Sequence, residues 1–559
     1  MGHGRGRYRA LVRDPRSQSA PFSARGVAPS ARQRAEKPAG VSRRAFLGAA
    51  AGLGLAVATP RGLRSPLLVA RDAPRLSGPA FTLGVASGDP LPGRVVLWTR
   101  LAPEPQTPTG GMPAEPVSVR WQVARDEAFG KIVRQGKARA EPDAAHSVHV
   151  DVAGLEPATD YFYRFIAAGE ESPVGRTRTA PAPDASTRPV RFAFASCQQY
   201  EEGYFTAHRH LAEEDVDLVA FLGDYIYEDD PSDGKARRHE ASEPTDLAGY
   251  RLRYATYKAD ADLQAAHAAH PWAVIWDDHE VENNYAADRA QRDTVSPAEF
   301  LTRRAAAYRS WWEHQPVRLP APTGPDVLMY RTLAFGRLAT FQLLDTRQYR
   351  TDQACGSAVD IGAPCPDVDS PDATLLGDTQ SRWLSRALDE SRARWNLIAQ
   401  QVMVGPVNFA PTLPDGGIVN LDQWDGYTSA RGSLMRQLAK LAPNPVVLTG
   451  DIHSSWVHDL VAETNGASGT SDRVVATELV GTSITSSFPL ESVVQGAVAS
   501  QPTIKYFEGT KHGYVRAEVD KEQLRADFRY VSGIGSPTAT IETGASFVVE
   551  AGHPGAQPA

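Results

Sequence analysis

Cysteine is scarce in this chain, three among 559 residues, and that excludes a disulfide-dense scaffold. Positive charge is scarce as well once the first 44 residues are set aside. That segment holds eleven basic and two acidic side chains, so it contributes +9 to a whole-chain charge of −7, and the remainder sums to −16. An acidic body argues against a stable nucleic-acid partner, because affinity there comes from neutralising phosphates with Lys and Arg. No internal repeat is visible, and no apolar run is long enough to span a bilayer. What is present is a soluble composition, 42% hydrophobic and 22% charged, with material for a large core. At this length two domains behind a leader are expected.

The basic start reads as that leader, residues 1–70. Ser42-Arg43-Arg44-Ala45-Phe46-Leu47 opens an uncharged Ala/Gly/Leu run to Ala58, which resembles a twin-arginine export signal. Ala56-Val57-Ala58 offers a small-residue cleavage site, and a second option lies nearer Ala70. The expectation is a secreted or cell-envelope protein, carried already folded by the twin-arginine translocation machinery and monomeric. Residues 75–182 read as all-β: Val95–Trp98, Val117–Val123 and His146–Val150 cluster β-formers between Pro/Gly turns. Leu155 to Arg164 looks like the corner and penultimate strand of a fibronectin III or immunoglobulin-like β-sandwich. Strands alternate with helices over residues 188–535, an α/β domain with mixed sheets and helices outside. Residues 536–559 read as a Gly/Pro/Ser/Thr-rich flexible tail.

Chemistry-bearing residues follow four of the expected strands. Ser196-Cys197 comes after Arg191–Ala195, and Gly223-Asp224-x-x-Tyr227 after Leu218–Leu222. Trp276-Asp277-Asp278-His279-Glu280-Val281-Glu282-Asn283-Asn284 is too polar for a core and suits a cation. Asp277 and Asp278 repel each other unless a cation joins them. Gly450-Asp451-Ile452-His453 follows Val446–Thr449. Cys355 and Cys365 share a Pro/Gly-rich insertion and are natural disulfide partners in an exported protein, which leaves Cys197 unpaired. Ligands gather beyond the carboxyl ends of strands in open α/β sheets, so the four clusters are candidates for one site.

Taken in this order, Gly-Asp-x-x-Tyr, Asp-Asp-His-Glu and Gly-Asp-x-His resemble the alkaline phosphatase D (PhoD-type) family of metallophosphoesterases, relatives of purple acid phosphatases. Leu344–Tyr349, Gln380–Leu384 and Gln423–Tyr427 carry the likeness further, as do Ala86–Pro90 and Trp98–Arg100. The resemblance implies Fe(3+) held by Cys197, Asp224, Tyr227 and His453. It implies Ca(2+) held by Asp224, Asp451, Asp278 or Asp277, and Asn283 or Asn284; spacing does not choose within those pairs. Asp451 stands where the wider superfamily has a His, which favours a hard ion over zinc. The implied activity is hydrolysis of phosphate mono- and diesters by a metal-bound hydroxide, with His279 donating to the phosphoryl or leaving oxygen. A phospholipase D-like phosphodiesterase is the alternative, and a non-catalytic surface-binding protein the less favoured one. Expected partners are small phosphate esters, phospholipids or teichoic-acid-like polymers. Arg253, Arg347 and Arg431 are candidates to clamp a phosphate, although each reads more readily as a surface residue. For the phospholipase D-like alternative Trp424, Tyr427, Trp311 and Trp312 are candidates to line an apolar entrance, although a pair such as Trp311-Trp312 more often belongs to a core.

Overall fold

A computed structural model describes residues 76–559 except 186–187, 292–293, 357–359, 414–416 and 463–472. The expected leader, residues 1–70, lies outside the described residues. Short apolar runs bounded by Gly, Pro and Asp become buried strands: Val190–Ala195, buried except at Arg191, pairs in parallel with Leu218–Leu222, and that strand with Pro271–Ile275. They form the centre of a ten-stranded sheet. A second, seven-stranded sheet is built on another parallel set, Ala339–Leu343, Trp395–Ala399, Pro445–Thr449 and Arg473–Val480. Parallel strands buried on both faces read as continuous Val/Ile/Leu/Phe runs, and these do. Side chains of both sheets share one apolar cluster, with the Phe192 and Phe341 rings meeting edge-on at 5.0 Å.

The helices cover the outer faces and are capped by the sequence. Asp246 accepts from the Gly249 amide at 2.8 Å at the start of Leu247–Lys258, and Ser296 caps Pro297–His314. Such side chains satisfy amides that the first turn leaves without partners.

One expectation gains a detail and another needs correction. Within residues 75–182, Val85–Leu91, Arg94–Arg100 and Ser147–Ala153 share an apolar cluster with Val117, Val119, Val123, Tyr161, Tyr163 and Phe165, and the same three strands also extend the ten-stranded sheet. Val85–Leu91 pairs in parallel with Pro271–Ile275, Ser87 opposite Pro271 and Gly88 opposite Trp272. The other strands of that segment form a five-stranded sheet, Ile132–Ala140, Val117–Ala124, Asp160–Ala167 and Glu170–Glu171 in order, with Gly175–Arg178 also on Asp160–Ala167. Buried Asp89 ties the segment down by accepting from Arg331 at 2.8 Å. The expected flexible tail is instead ordered: Ile541–Glu550 and His553–Pro558 are the last strands of the large sheet. Alternation within Glu542–Val549 outweighed the Gly and Thr content.

Candidate metal centre

The residues just after four parallel strands of the two sheets, Val190–Ala195, Leu218–Leu222, Pro271–Ile275 and Pro445–Thr449, converge. Cys197, Asp224, Asp451 and His453 all have positive φ, 60°, 56°, 60° and 59°. Non-glycine residues seldom adopt that region, and such strain concentrates at functional sites. Here it turns each side chain off the strand axis toward its neighbours. Gly223, at φ 107°, is required for another reason: a Cβ there would lie 2.4 Å from Asp277 Cβ and 2.6 Å from its amide nitrogen.

One ligand atom each from Cys197, Asp224 and His453 lies within 4.8 Å of the others. The same holds for Asp224, Asp277, Asp278 and Asp451, and for Asp224, Asp278 and His279. Asp224 belongs to all three groups. The Tyr227 hydroxyl sits 3.1 Å from Asp224 Oδ2, 3.1 Å from His453 Nε2 and 2.7 Å from Ser486 Oγ. Of the carboxylates, Asp224 Oδ1, Asp277 Oδ2 and Asp278 Oδ1 are buried with no hydrogen-bond partner. Buried acceptors are almost always satisfied, so three orphaned oxygens facing one space fit a cation.

Electrostatics point the same way. Burial pushes the Cys197 thiol well up, and Asp224 and Asp451 push it further. Tyr227 is raised by burial, then by Asp224 and Cys197. Asp224 is raised by burial and Asp278, and Asp451 reaches about 6, burial outweighing the Arg347 guanidinium. Sulfur, phenol and the Asp224 carboxyl are thus held protonated until positive charge arrives, whereas Asp278, despite its burial, is held below the usual carboxylate range by Arg347 and His279. His279 is the counterweight. Burial opposes its charge, yet Glu228, Asp278 and Asp224 raise it well above an ordinary imidazole. Its Nδ1 lies 2.7 Å from Glu228 Oε2, and its ring stacks on Tyr227 at 4.0 Å.

The models of two family domains match this chain. The PhoD-like phosphatase model covers residues 192–528, and the N-terminal domain of PhoD-like phosphatases covers 68–181. The chain belongs to the PhoD-like phosphatase family. Alkaline phosphatase D of Bacillus subtilis (strain 168) is 47% identical over 488 residues, 86% of this chain and 82% of that protein. A solved structure of PhoD is 46% identical with a TM-score of 0.82, covering 87% of this chain and 93% of that one. As a PhoD-like phosphatase the chain is a hydrolase of phosphoric esters.

Not every residue singled out from the sequence of this PhoD-like phosphatase reaches the centre. Asn283 and Asn284 approach through their backbones, donating to Glu228 Oε1 and Asp278 Oδ2 at 2.7 Å each. The Asn284 side chain bonds Asp360 instead. Arg253 is 2% exposed and spends its guanidinium on the carbonyls of Tyr227, Asp229, Ala241 and Ser242, so it is not a phosphate clamp. Arg431 pairs with Asp425. Trp424, 1% exposed, lies in an apolar cluster with Tyr427 and borders a cavity of about 750 Å³ whose lining includes none of the candidate metal ligands; Trp311 packs on Trp276 and Trp312 on His149. Cys355 and Cys365 form a disulfide and Cys197 is free.

Sequence reasoning missed the residues behind the ligands. Glu280 accepts from the amides of Asp224, Tyr225 and Asp277 at 3.1, 2.8 and 2.9 Å, pinning two ligand loops together. Ser486 bonds the Cys197 carbonyl at 2.9 Å as well as Tyr227. Asp422 and Gln423 reach Arg347 and Asp451. Glu280 was visible as part of Asp-Asp-His-Glu; no local pattern marked Ser486 or Asp422.

Proposed function

We propose that this hydrolase is a metal-dependent phosphoesterase with a mixed centre, acting on phosphate mono- and diesters as an alkaline phosphatase D. The observation that carries the reading is the set of three partnerless buried carboxylate oxygens beside a free thiol, a phenol and an imidazole. Cys197, Asp224, Tyr227 and His453 would hold a ferric ion, since thiolate and phenolate together suit a strongly Lewis-acidic metal. Asp224, Asp278 and Asp451, with Asp277 behind them, would hold calcium, a hard cation that takes oxygen ligands. Bound cations supply Lewis acidity toward phosphoryl oxygens and water.

The chain's own groups do the rest. Glu228 fixes the imidazole of His279 through Nδ1, leaving Nε2 to donate a proton to the leaving alkoxide. Glu280 and Ser486 hold the loops so that the donors keep their places. Membership of this family also supports small phosphate esters as substrates, and the basic leader with Arg43-Arg44 supports export to the cell envelope as a folded monomer. No helix among the described residues is long and apolar enough to cross a membrane. The test is metal analysis of the purified chain beside assays on p-nitrophenyl phosphate, bis-p-nitrophenyl phosphate and phosphatidylcholine. Iron and calcium with turnover of the first two are expected. Full activity after complete metal removal would overturn the reading.

A further inference from the structure

Arg347 follows the Ala339–Leu343 strand and is fully buried. Its guanidinium donates to Asp277 Oδ1 through Nε, to both oxygens of Asp422 at 3.0 and 2.9 Å, and to Asp451 Oδ1 at 3.2 Å. Asp278 Oδ2 stands 3.5 Å away. These four carboxylates come from three separate loops. All three nitrogens are spent, so none is left for a phosphate, and the phosphate-clamp role expected from the sequence does not fit. Arg350 adds a second guanidinium on Asp422 at 3.1 Å. Four carboxylates, Asp277, Asp278, Asp422 and Asp451, thus gather around two fixed guanidinium cations.

Two consequences of such a position oppose each other. A permanent cation among buried carboxylates holds them together when nothing else does, because stripping a partner from a buried charge is strongly destabilising. The same cation repels any divalent ion that uses Asp277, Asp278 and Asp451, and repulsion is poorly screened where water is excluded. We infer that Arg347 is a built-in counter-ion of the metal centre, keeping its acidic face assembled without a divalent cation and weakening the affinity for one. This rests on the cation reading of the site. Arg347 is a positioning residue here and touches no reacting atom.

The test uses the full chain treated with EGTA, at pH 8.5 so that protons do not compete for the carboxylates. Calcium binding is measured by titration calorimetry and unfolding is followed in EGTA. Arg347→Met is expected to unfold earlier than wild type in EGTA and to bind calcium about tenfold more tightly, with a correspondingly larger stabilisation on calcium addition. Arg347→Lys, which keeps the charge but not the fork, is expected to retain wild-type affinity. A Met variant that binds calcium no more tightly than wild type overturns the proposal. Should that variant be insoluble even in calcium, Asp422→Asn replaces it: with its neutralising partner gone, Arg347 repels more strongly and calcium binds about tenfold more weakly, whereas unchanged affinity overturns the proposal. Wild-type chain that binds no calcium would instead remove the cation reading itself, and the inference with it.

Discussion

Replacing Gly223 by Ala tests the geometry of the centre without touching a ligand. The added Cβ would stand 2.4 Å from Asp277 Cβ and 2.6 Å from Asp277 N, where ordinary contact begins at 3.4 Å. Neither atom is the end of a flexible side chain, so the Gly223 and Asp277 backbones must part by ~1 Å. The φ of 107° adds strain of about 1–3 kcal/mol, and overpacking a dense interior costs about 1–3 kcal/mol more. The sum, roughly 2–6 kcal/mol, is smaller than all but the lowest part of the 5–15 kcal/mol by which domains are stable. The variant should therefore fold with reduced stability in urea unfolding. Activity should suffer more, because ~1 Å of misplacement near reacting groups costs about 100-fold. The readouts are kcat/KM on p-nitrophenyl phosphate, far-UV circular dichroism and the urea midpoint. Wild-type kcat/KM with wild-type stability would refute the argument that these two loops are held at contact distance.

Other expectations follow from the same contacts. Cys197→Ala should lose bound iron and activity together, checked by metal analysis and turnover; full activity would make the thiol structural. Glu228→Ala removes the partner of His279 Nδ1 and should lower kcat by about 10² to 10⁴, the range for a positioned general acid, with circular dichroism unchanged. Glu478 accepts from the Val404 and Gly405 amides and from Thr449 Oγ1, yet burial lifts its carboxyl from 4.5 to about 7. A raised folded-state pKa gives stability that is complete below pH ~4.5 and lost as pH rises through ~7, about 3 kcal/mol for this group. Denaturant unfolding from pH 4.5 to 8 should show a slope that is flatter in Glu478→Gln; equal slopes would count against a proton held there.

The centre was legible because its donors are chemically distinctive and sit immediately after apolar runs, so strand ends and ligands were read from the same stretches. Asp277 and Asp278 were left undivided by spacing, and the structure explains why both matter: one oxygen of Asp277 goes to Arg347 and the other has no partner. Arg253 was misread because a buried arginine and a substrate-binding one look alike in sequence, and its carbonyl partners in residues 227–242 are set by loop geometry. The role of Glu280, though its motif was visible, and that of Ser486 were not legible, because their partners are amides, a carbonyl and a hydroxyl on loops distant in sequence. The continuation of the first strands into the large sheet was not legible because alternation is local, whereas pairing with Pro271–Ile275 bridges 184 positions between Ser87 and Pro271.

That pairing bears on how the molecule can be dissected. A fragment beginning at the Pro181–Ser186 linker would keep every proposed metal donor, yet it would leave Pro271–Ile275 as a bare sheet margin with its amides and carbonyls unmet on one side. Apolar strands in that condition recruit other chains. The truncated fragment should precipitate or form higher-order species on size exclusion, because Val85–Leu91 is the strand that covers that margin in the whole chain.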